Sequence, residues 1–303
     1  MNKLIIILGP TASGKTALAV KIADQYNGEI ISADSRQVYK GMDIGTGKDL
    51  YEYNINGNKI QYHLIDILEP NIDYSVFNFK ENFNSAYNNI KSRNKVPILC
   101  GGTALYIDSI LYDYKIPHSK PNLELRRQLE QLSQKDLIIK LTNIKNNIYD
   151  QQYHISKRRL IRSIEILNSN ATIDMNLQGE NKLNNSLVLG IQIDREILLK
   201  RIKLRLEQRL QQGMIEEVEM LIKRGISRER LVSLGLEYRY ISKYLSNILD
   251  YDTMKEKLNI AINQFSKRQM TFFRRIEKRG TRIHWIKHDS IEDYKILVDK
   301  YLS

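Results

Sequence analysis

Among 303 residues there is one cysteine, Cys100, which leaves no partner for an intramolecular disulfide and too few thiols for a cysteine-based zinc cluster. That usage fits a reducing compartment. Long apolar runs are also missing. The stretch Leu4–Leu8 is short and passes directly into a glycine-containing turn, too little for a signal peptide or a membrane span. The sequence therefore predicts a cytoplasmic protein without a membrane partner. No internal repeat and no low-complexity tail is found. Acid is scarcer than base: 35 Asp and Glu stand against 47 Lys and Arg, a net charge of +12. Such an excess suits a polyanionic partner, although net charge bears on association and not on fold. With 42% apolar residues, the chain can bury a core as one large domain or as a main domain with an appendage.

The most informative run is GPTASGKT at residues 9–16. Before it lies the β-branched run Leu4–Leu8; after it, Ala17 to Ala23 suits a helix. Strand, glycine turn and helix in that order give the G-x-x-x-x-G-K-[ST] spacing a mechanical meaning. Gly9 and Gly14 permit backbone angles at which, past Pro10, successive amide N–H groups of Thr11, Ala12, Ser13 and their neighbours can converge on one phosphate chain. Lys15 then reaches the phosphates, and the Thr16 hydroxyl can ligate magnesium. Alone, the loop proposes an ATP or other nucleotide site.

A second strand, residues 28–33, ends at Asp34-Ser35-Arg36-Gln37. In open parallel sheets, ligands bind beyond the carboxyl ends of strands, so Asp34 is expected near the phosphate loop. It can contact magnesium, often through water, accept a proton from a nucleophile, or simply cap a turn. The strand Val96 to Cys100 runs into Gly101-Gly102-Thr103 and lacks the Asp that commonly ends such a strand in P-loop nucleotidases. Thr103 is either a helix N-cap or a hydroxyl facing the cleft. Residues 41–48 hold three glycines and read as a loop able to cover a ligand. His63, on a strand expected over Tyr62 to Ile67, has no sequence neighbour to make it a catalyst and is taken as structural.

Residues 77–92 carry Phe79, Phe83, Ala86 and Ile90 at helical spacing. From Pro117 the texture turns wholly helical, with stripes Leu137, Ile138, Leu141, Ile144, Ile148 and Leu160, Ile161, Ile164, Leu167. Arg158, Arg159 and Arg162 share a face there, either for phosphates or for solvent. An Asn-rich stretch follows, then a core strand over Leu187 to Ile193 and a helix capped by Asp194. Arg201 and Arg205, one turn apart on it, suit a pyrophosphate or open water. Residues 264–275 interleave cations with aromatics, a pattern suited to RNA, and Arg282 to Ile286 can add a late strand. The reading is α/β: a P-loop-type parallel sheet core flanked by helices over 1–116 and 186–303, with a small all-helical insertion domain over 117–185.

GPTASGKT, Ser32-Ala33-Asp34-Ser35-Arg36-Gln37-Val38-Tyr39, Met42-Asp43-Ile44-Gly45-Thr46-Gly47-Lys48, Gly101-Gly102-Thr103-Ala104-Leu105-Tyr106 and Lys267-Arg268-Gln269-Met270-Thr271-Phe272-Phe273-Arg274 occur in the order seen in tRNA dimethylallyltransferases, and the chain resembles that family almost end to end. The resemblance implies transfer of a dimethylallyl group from dimethylallyl diphosphate to the exocyclic amine of the adenine 3′-adjacent to the tRNA anticodon. It implies that residues 9–16 hold the diphosphate with Arg205, that Lys15, Thr16 and Mg²⁺ stabilise the leaving group, and that Asp34, also a candidate metal contact, accepts a proton or hydrogen bond from the amine. Thr103 would line the channel where the substrates meet. tRNA contacts would come from Asp34, Ser35, Arg36, Gln37, Thr103, Arg126 and the segment Arg158, Arg159, Leu160, Ile161, Arg162. Cys100 in place of an Asp counts against a nucleotide-hydrolysing RNA-binding protein; a prenyltransferase acting on free adenylate would need the loop and Asp34 but no RNA-sized basic surface.

Overall fold

The computed structural model describes residues 3–114, 122–144, 156–169 and 186–303. Two compact units emerge, one formed by Met1–Leu111 with Leu183–Ser303 and the other by Tyr112–Lys182. The first is built on β1 (Leu4–Leu8), β2 (Gly28–Ser32), β5 (Tyr62–His63), β6 (Val96–Gly101), β7 (Ser186–Gln192) and β8 (His284–Lys287), ordered β5-β2-β6-β1-β7-β8 and parallel throughout. A short antiparallel hairpin, β3 (Asn54–Ile55) with β4 (Asn58–Lys59), stands apart. β1 reads LIIIL with every residue buried, as a central strand covered on both faces requires.

Helices of this unit are α1 (Lys15–Gln25), α2 (Val76–Ser92), α3 (Ala104–Leu111), α7 (Arg195–Gln211), α8 (Met214–Lys223), α9 (Arg228–Leu234), α10 (Leu236–Leu245), α11 (Tyr251–Lys278) and α12 (Tyr294–Leu302). α2 buries the expected Phe79, Phe83, Ala86 and Ile90, and opens with a capping box between Ser75 and Asn78. Asp194 does occupy the N-cap of α7, but its side chain makes no capping bond. One sheet cluster packs α1 and α12 residues such as Leu18, Ile22 and Val298 on the strands. A second core joins Val38, Tyr39 and Met42 to Leu198, Ile202, Val218, Leu234, Tyr238, Met254 and Leu258.

Register determines which strand ends meet. Leu8 pairs with Gly101 on one side and Gly190 on the other, while Ser32 pairs with Cys100. The phosphate-type turn after β1, the Asp34 turn after β2 and the Gly-Gly-Thr turn after β6 therefore emerge side by side. Gly101 is needed for this: a Cβ there would lie 2.3 Å from the carbonyl oxygen of Ala33.

The strand expected over Tyr62 to Ile67 stops after His63. Leu64 and Asp66 take φ of 63° and 55°, and the Asp66 amide donates to the Gln37 carbonyl at 3.1 Å, so tertiary partners bend the chain out of the sheet. His63 is structural, as expected, and its partner comes from the neighbouring strand: Nε2 lies 2.8 Å from Oε2 of buried Glu29. Burial raises the Glu29 pKa, but hydrogen bonds from Arg93, His63 and Lys95 outweigh it and hold the carboxyl at about 2.

In the second unit, α4 (Leu123–Glu130), α5 (Gln134–Ile144) and α6 (Lys157–Asn168) enclose Leu129, Leu137, Leu141, Leu160, Ile161 and Ile164. The expected boundary at Pro117, Ile148 of the first stripe and most of the Asn-rich stretch lie outside the described residues.

Candidate functional site

β1 delivers the chain into residues 9–14, and α1 begins at Lys15. Gly14 takes φ 92°, a left-handed turn that ordinary side chains resist. Two remote elements hold the turn. The Thr11 amide donates to Gln269 Oε1 at 2.8 Å, while Gln269 Nε2 donates to the Gly102 carbonyl at 2.9 Å, so one buried amide from α11 ties the turns after β1 and β6. From α7, Arg205 donates to the Thr11 hydroxyl. Lys15 Nζ folds back on the Pro10 carbonyl at 2.7 Å. The Ser13 hydroxyl is buried and, among the described residues, has no hydrogen-bond partner.

Burial dominates the electrostatics here. It lowers the Lys15 ammonium to about 8, against the opposing pull of Asp34 and Glu52, and the Arg205 guanidinium to about 10, with Arg209 adding repulsion. Crowded, desolvated cations around an unsatisfied buried hydroxyl form a site suited to an anion. Burial also pushes the Cys100 thiol up to about 12, so at neutral pH it is a small uncharged group at the end of β6.

Asp34 follows β2. Its Oδ1 accepts from the amides of Arg36 at 2.8 Å and Gln37 at 3.4 Å, so the turn-capping reading is realised on one oxygen. Oδ2 has no protein donor among the described residues. Thr103 stands at the start of α3, and its carbonyl accepts from Tyr106 and Ile107. Its hydroxyl does not cap that helix. It accepts from the Ser35 amide at 3.0 Å and binds the Asp34 turn to the β6 end.

Thr11, Ala12, Gly14, Lys15, Thr16, Asp34, Ser35, Arg36, Gln37, Thr103, Arg201 and Arg205 line one cavity of about 800 Å³. The sequence-predicted diphosphate and carboxylate residues thus converge, with Gly9, Pro10 and buried Ser13 shaping the turn behind them. Residues not singled out from sequence share the wall. Glu52 and Glu237 line it, and burial raises both carboxyl pKa values, Asp49 adding to the effect on Glu52. Arg209 is buried and pairs with Asp49 at 2.9 Å. Nothing local distinguishes these positions from ordinary surface charge on a helix, which is why pattern reading passes over them.

The residues present fit a magnesium ion. Thr16 and Asp34 reach the same cavity, and among the described residues no cluster of three His, Cys, Asp or Glu could cage a metal by itself. Mg²⁺ commonly takes one or two protein oxygens and completes its shell with water and substrate phosphate.

The expected contacts in the second unit differ in how far they reach solvent. Leu160 and Ile161 are core residues of that unit, so their side chains are withdrawn from any RNA. Arg126 forms a two-pronged pair with buried Glu165, Nε to Oε1 at 2.8 Å and Nη2 to Oε2 at 2.9 Å, and Arg162 approaches the same carboxylate at 3.5 Å. A small helical core with one buried carboxylate uses these arginines to neutralise it. Arg158 and Arg159 are exposed.

Fold and site together define a parallel α/β protein with a phosphate-type turn between its first strand and helix. The family whose profile matches residues 37–276 is IPP transferase, and the chain belongs to that family. It is 49% identical over 284 residues to tRNA dimethylallyltransferase 1 of Azobacteroides pseudotrichonymphae genomovar. CFP2, covering 94% of this chain and 92% of that protein. Identity to tRNA dimethylallyltransferase 1 of Parabacteroides distasonis is 46% over 286 residues, 94% and 92% of the two chains. Among solved structures, the full-length tRNA isopentenylpyrophosphate transferase of Bacillus halodurans matches with a TM-score of 0.71 at 29% identity, covering 100% of this chain and 97% of that one. A eukaryotic dimethylallyltransferase acting on tRNA shares the fold, with a TM-score of 0.79 at 23% identity over 94% of this chain and 74% of its own.

Proposed function

We propose that this protein transfers the dimethylallyl group of dimethylallyl diphosphate to the exocyclic amine of the adenine 3′-adjacent to the anticodon of a tRNA, releasing diphosphate. The observation that carries the reading is the convergence, in one cavity of about 800 Å³, of a cation-rich phosphate-type turn and a carboxylate with one unengaged oxygen, in a chain of the IPP transferase family. Such a volume accommodates a donor and a flipped-out base together.

Backbone N–H groups of residues 12–16, Lys15 and Arg205 bind the diphosphate and orient its allylic carbon toward Asp34. Charge accumulates on the diphosphate as the carbon–oxygen bond breaks, and these fixed donors stabilise it at that moment. Mg²⁺ held by Thr16 and, through water, Asp34 would neutralise part of the same charge. Oδ2 of Asp34 accepts the amine proton while Oδ1 remains fixed by the amides of Arg36 and Gln37. Thr103 and Ser35 shape the passage between the two substrates. The net charge of +12 and the cations of α11 supply attraction to the RNA backbone, with Arg158 and Arg159 as the exposed candidates of the helical unit. We place the protein in the cytoplasm as a monomer; among the described residues no helix is long and apolar enough to cross a membrane.

The experiment is incubation with unmodified tRNA and labelled dimethylallyl diphosphate, followed by nucleoside analysis. Label on the adenine next to the anticodon is expected. Absence of label on every tRNA with such an adenine, or efficient labelling of free AMP instead, overturns the reading.

A further inference from the structure

The glycine-rich loop at residues 41–48 borders the cavity through Gly45, Thr46 and Gly47 without being free to move over it. Glu217, in the first turn of α8, accepts the amides of Asp43 at 2.7 Å, Ile44 at 2.7 Å and Gly45 at 3.0 Å, and the hydroxyl of fully buried Tyr238 at 2.7 Å. Three consecutive backbone donors converging on one carboxylate form a concave anion cradle, filled here by the protein's own side chain. The residues so held pass the constraint on. Carbonyls of Asp43 and Ile44 accept the amides of Lys48 and Gly47, each at 3.1 Å. The Gly47 carbonyl then accepts Gln37 Nε2 at 2.9 Å, Ser32 donates to Gln37 Oε1 at 2.9 Å, and the Gln37 amide faces Asp34 Oδ1. A continuous hydrogen-bonded path thus joins Glu217 to the Asp34 carboxylate, and no step of it touches residues 9–16.

We infer that Glu217 is a positioning residue for the transfer: it anchors the 41–48 loop and, through Gln37, fixes the orientation of Asp34. The inference rests on the proposed prenyl transfer at this cavity. Replacing the carboxylate by an amide puts an NH₂ group where backbone N–H groups point, so at least one donor of the cradle loses its acceptor and the loop shifts. Turnover then falls while donor binding, which depends on residues 9–16 and Arg205, stays near its original level.

Single-turnover transfer of labelled dimethylallyl to tRNA tests this in four proteins: wild type, Glu217→Gln, Asp34→Ala and the double variant. Residues acting through one group show non-additive losses. Glu217→Gln should slow the step about tenfold when Asp34 is present and less than about twofold when it is Ala, with the donor KM changed less than about threefold. Tyr238→Phe removes one bond to Glu217 and leaves the buried ring in place; its loss of about threefold should also vanish in the Asp34→Ala background. This second variant carries the comparison if Glu217→Gln fails to melt cooperatively. Equal fractional losses in both backgrounds, or unchanged turnover in both single variants, overturn the inference. Absence of transfer by the wild type instead overturns the functional reading on which it rests.

Discussion

The two glycine-rich loops of the cavity, residues 9–16 and 41–48, both end on a Gly-Lys pair or a Gly-Lys-Thr run, yet their polar groups are used in opposite ways. In the first, Lys15 reaches only a carbonyl of its own turn and the buried Ser13 hydroxyl has no partner among the described residues. In the second, amides go to Glu217, carbonyls to Gln37, Gly47 and Lys48, and the Lys48 ammonium to Asp43, Asp66 and the Tyr39 carbonyl. An unsatisfied buried group is costly unless a ligand satisfies it, whereas a fully satisfied network rigidifies its surroundings. The first loop is therefore built for a ligand and the second for the scaffold. Lesions in the first should weaken donor binding at constant stability, and lesions in the second should lower stability with donor binding little changed.

Lys15→Ala gives the largest separation. Removing the ammonium proposed to bind the diphosphate is expected to lower kcat/KM for the donor about a thousandfold, near the upper range for losing one preorganised charge at a transition state. Denaturant midpoints should stay within error or rise slightly. The sign follows from linkage: burial lowers the folded pKa to about 8 from an unfolded value of 10.5, so holding the charge opposes folding below pH 8, and that cost disappears as pH rises between the two values. By the same shift, KM for the donor should increase as pH passes through about 8 and Lys15 loses its proton. A flat KM from pH 7 to 9.5 would remove Lys15 from the donor site.

Lys48→Met probes the opposite loop. The ammonium is 1% exposed and its two carboxylate partners are 59% and 36% exposed, so both can relax into water once it is removed. That exposure reduces the loss below the range for breaking a fully buried pair, to about 2 kcal/mol of folding stability by urea unfolding. Donor KM should change little. A large KM effect with unchanged stability would mean that residues 41–48 bind substrate directly and the division between the loops is wrong.

The contrast also separates what was legible in the sequence from what was not. The order of strand, turn and helix around GPTASGKT, the Asp34 turn and the Gly-Gly-Thr turn could be read because hydrophobic runs and glycines mark them locally. Their meeting in space follows from a parallel register, which the apolar runs imply but do not specify. Lys48 reads as the end of a glycine-rich loop able to cover a ligand and of one motif of the resemblance; nothing in Met42 to Lys48 announces that its charge is buried against Asp66, 18 positions later. Glu217 and Arg209 were equally silent, since a Glu at a helix start and an Arg in a basic helix are what solvated helices carry. In the helical unit the i, i+1, i+4 spacing of Arg158, Arg159 and Arg162 suggested one basic face, and the structure turns Arg162 toward Glu165 because a buried carboxylate outweighs a solvated one in its demand for a cation.

Gln269 lies between the two kinds of lesion, since it is a scaffold residue that grips the first loop. Gln269→Ala removes the acceptor of the Thr11 amide and the donor to Gly102, leaving both turns less fixed. Two net hydrogen bonds of about 1 kcal/mol each set the scale. Part should appear as a drop of about 1 kcal/mol in stability and part as a rise of about fivefold in donor KM. If only stability falls, Gln269 packs the core and its hold on the Thr11 turn has no part in donor binding.

Gly47→Ala should have the smallest effect, and it falls on stability. Gly47 takes φ 63°, where an alanine costs roughly 1 kcal/mol. A Cβ there would lie 1.9 Å from Nη2 of Arg209, the far end of a flexible side chain that can withdraw only by weakening its pair with Asp49. The Gly47 carbonyl that holds Gln37 points along the backbone and need not move far, so single-turnover transfer should fall no more than about threefold while the urea midpoint drops measurably. Arg209→Lys gives the added methyl more room, and combining it with Gly47→Ala should therefore cost less than the sum of the two single losses. Strict additivity would place the cost in backbone strain alone, and a large rise in donor KM with stability intact would make residues 41–48 a part of the ligand site after all.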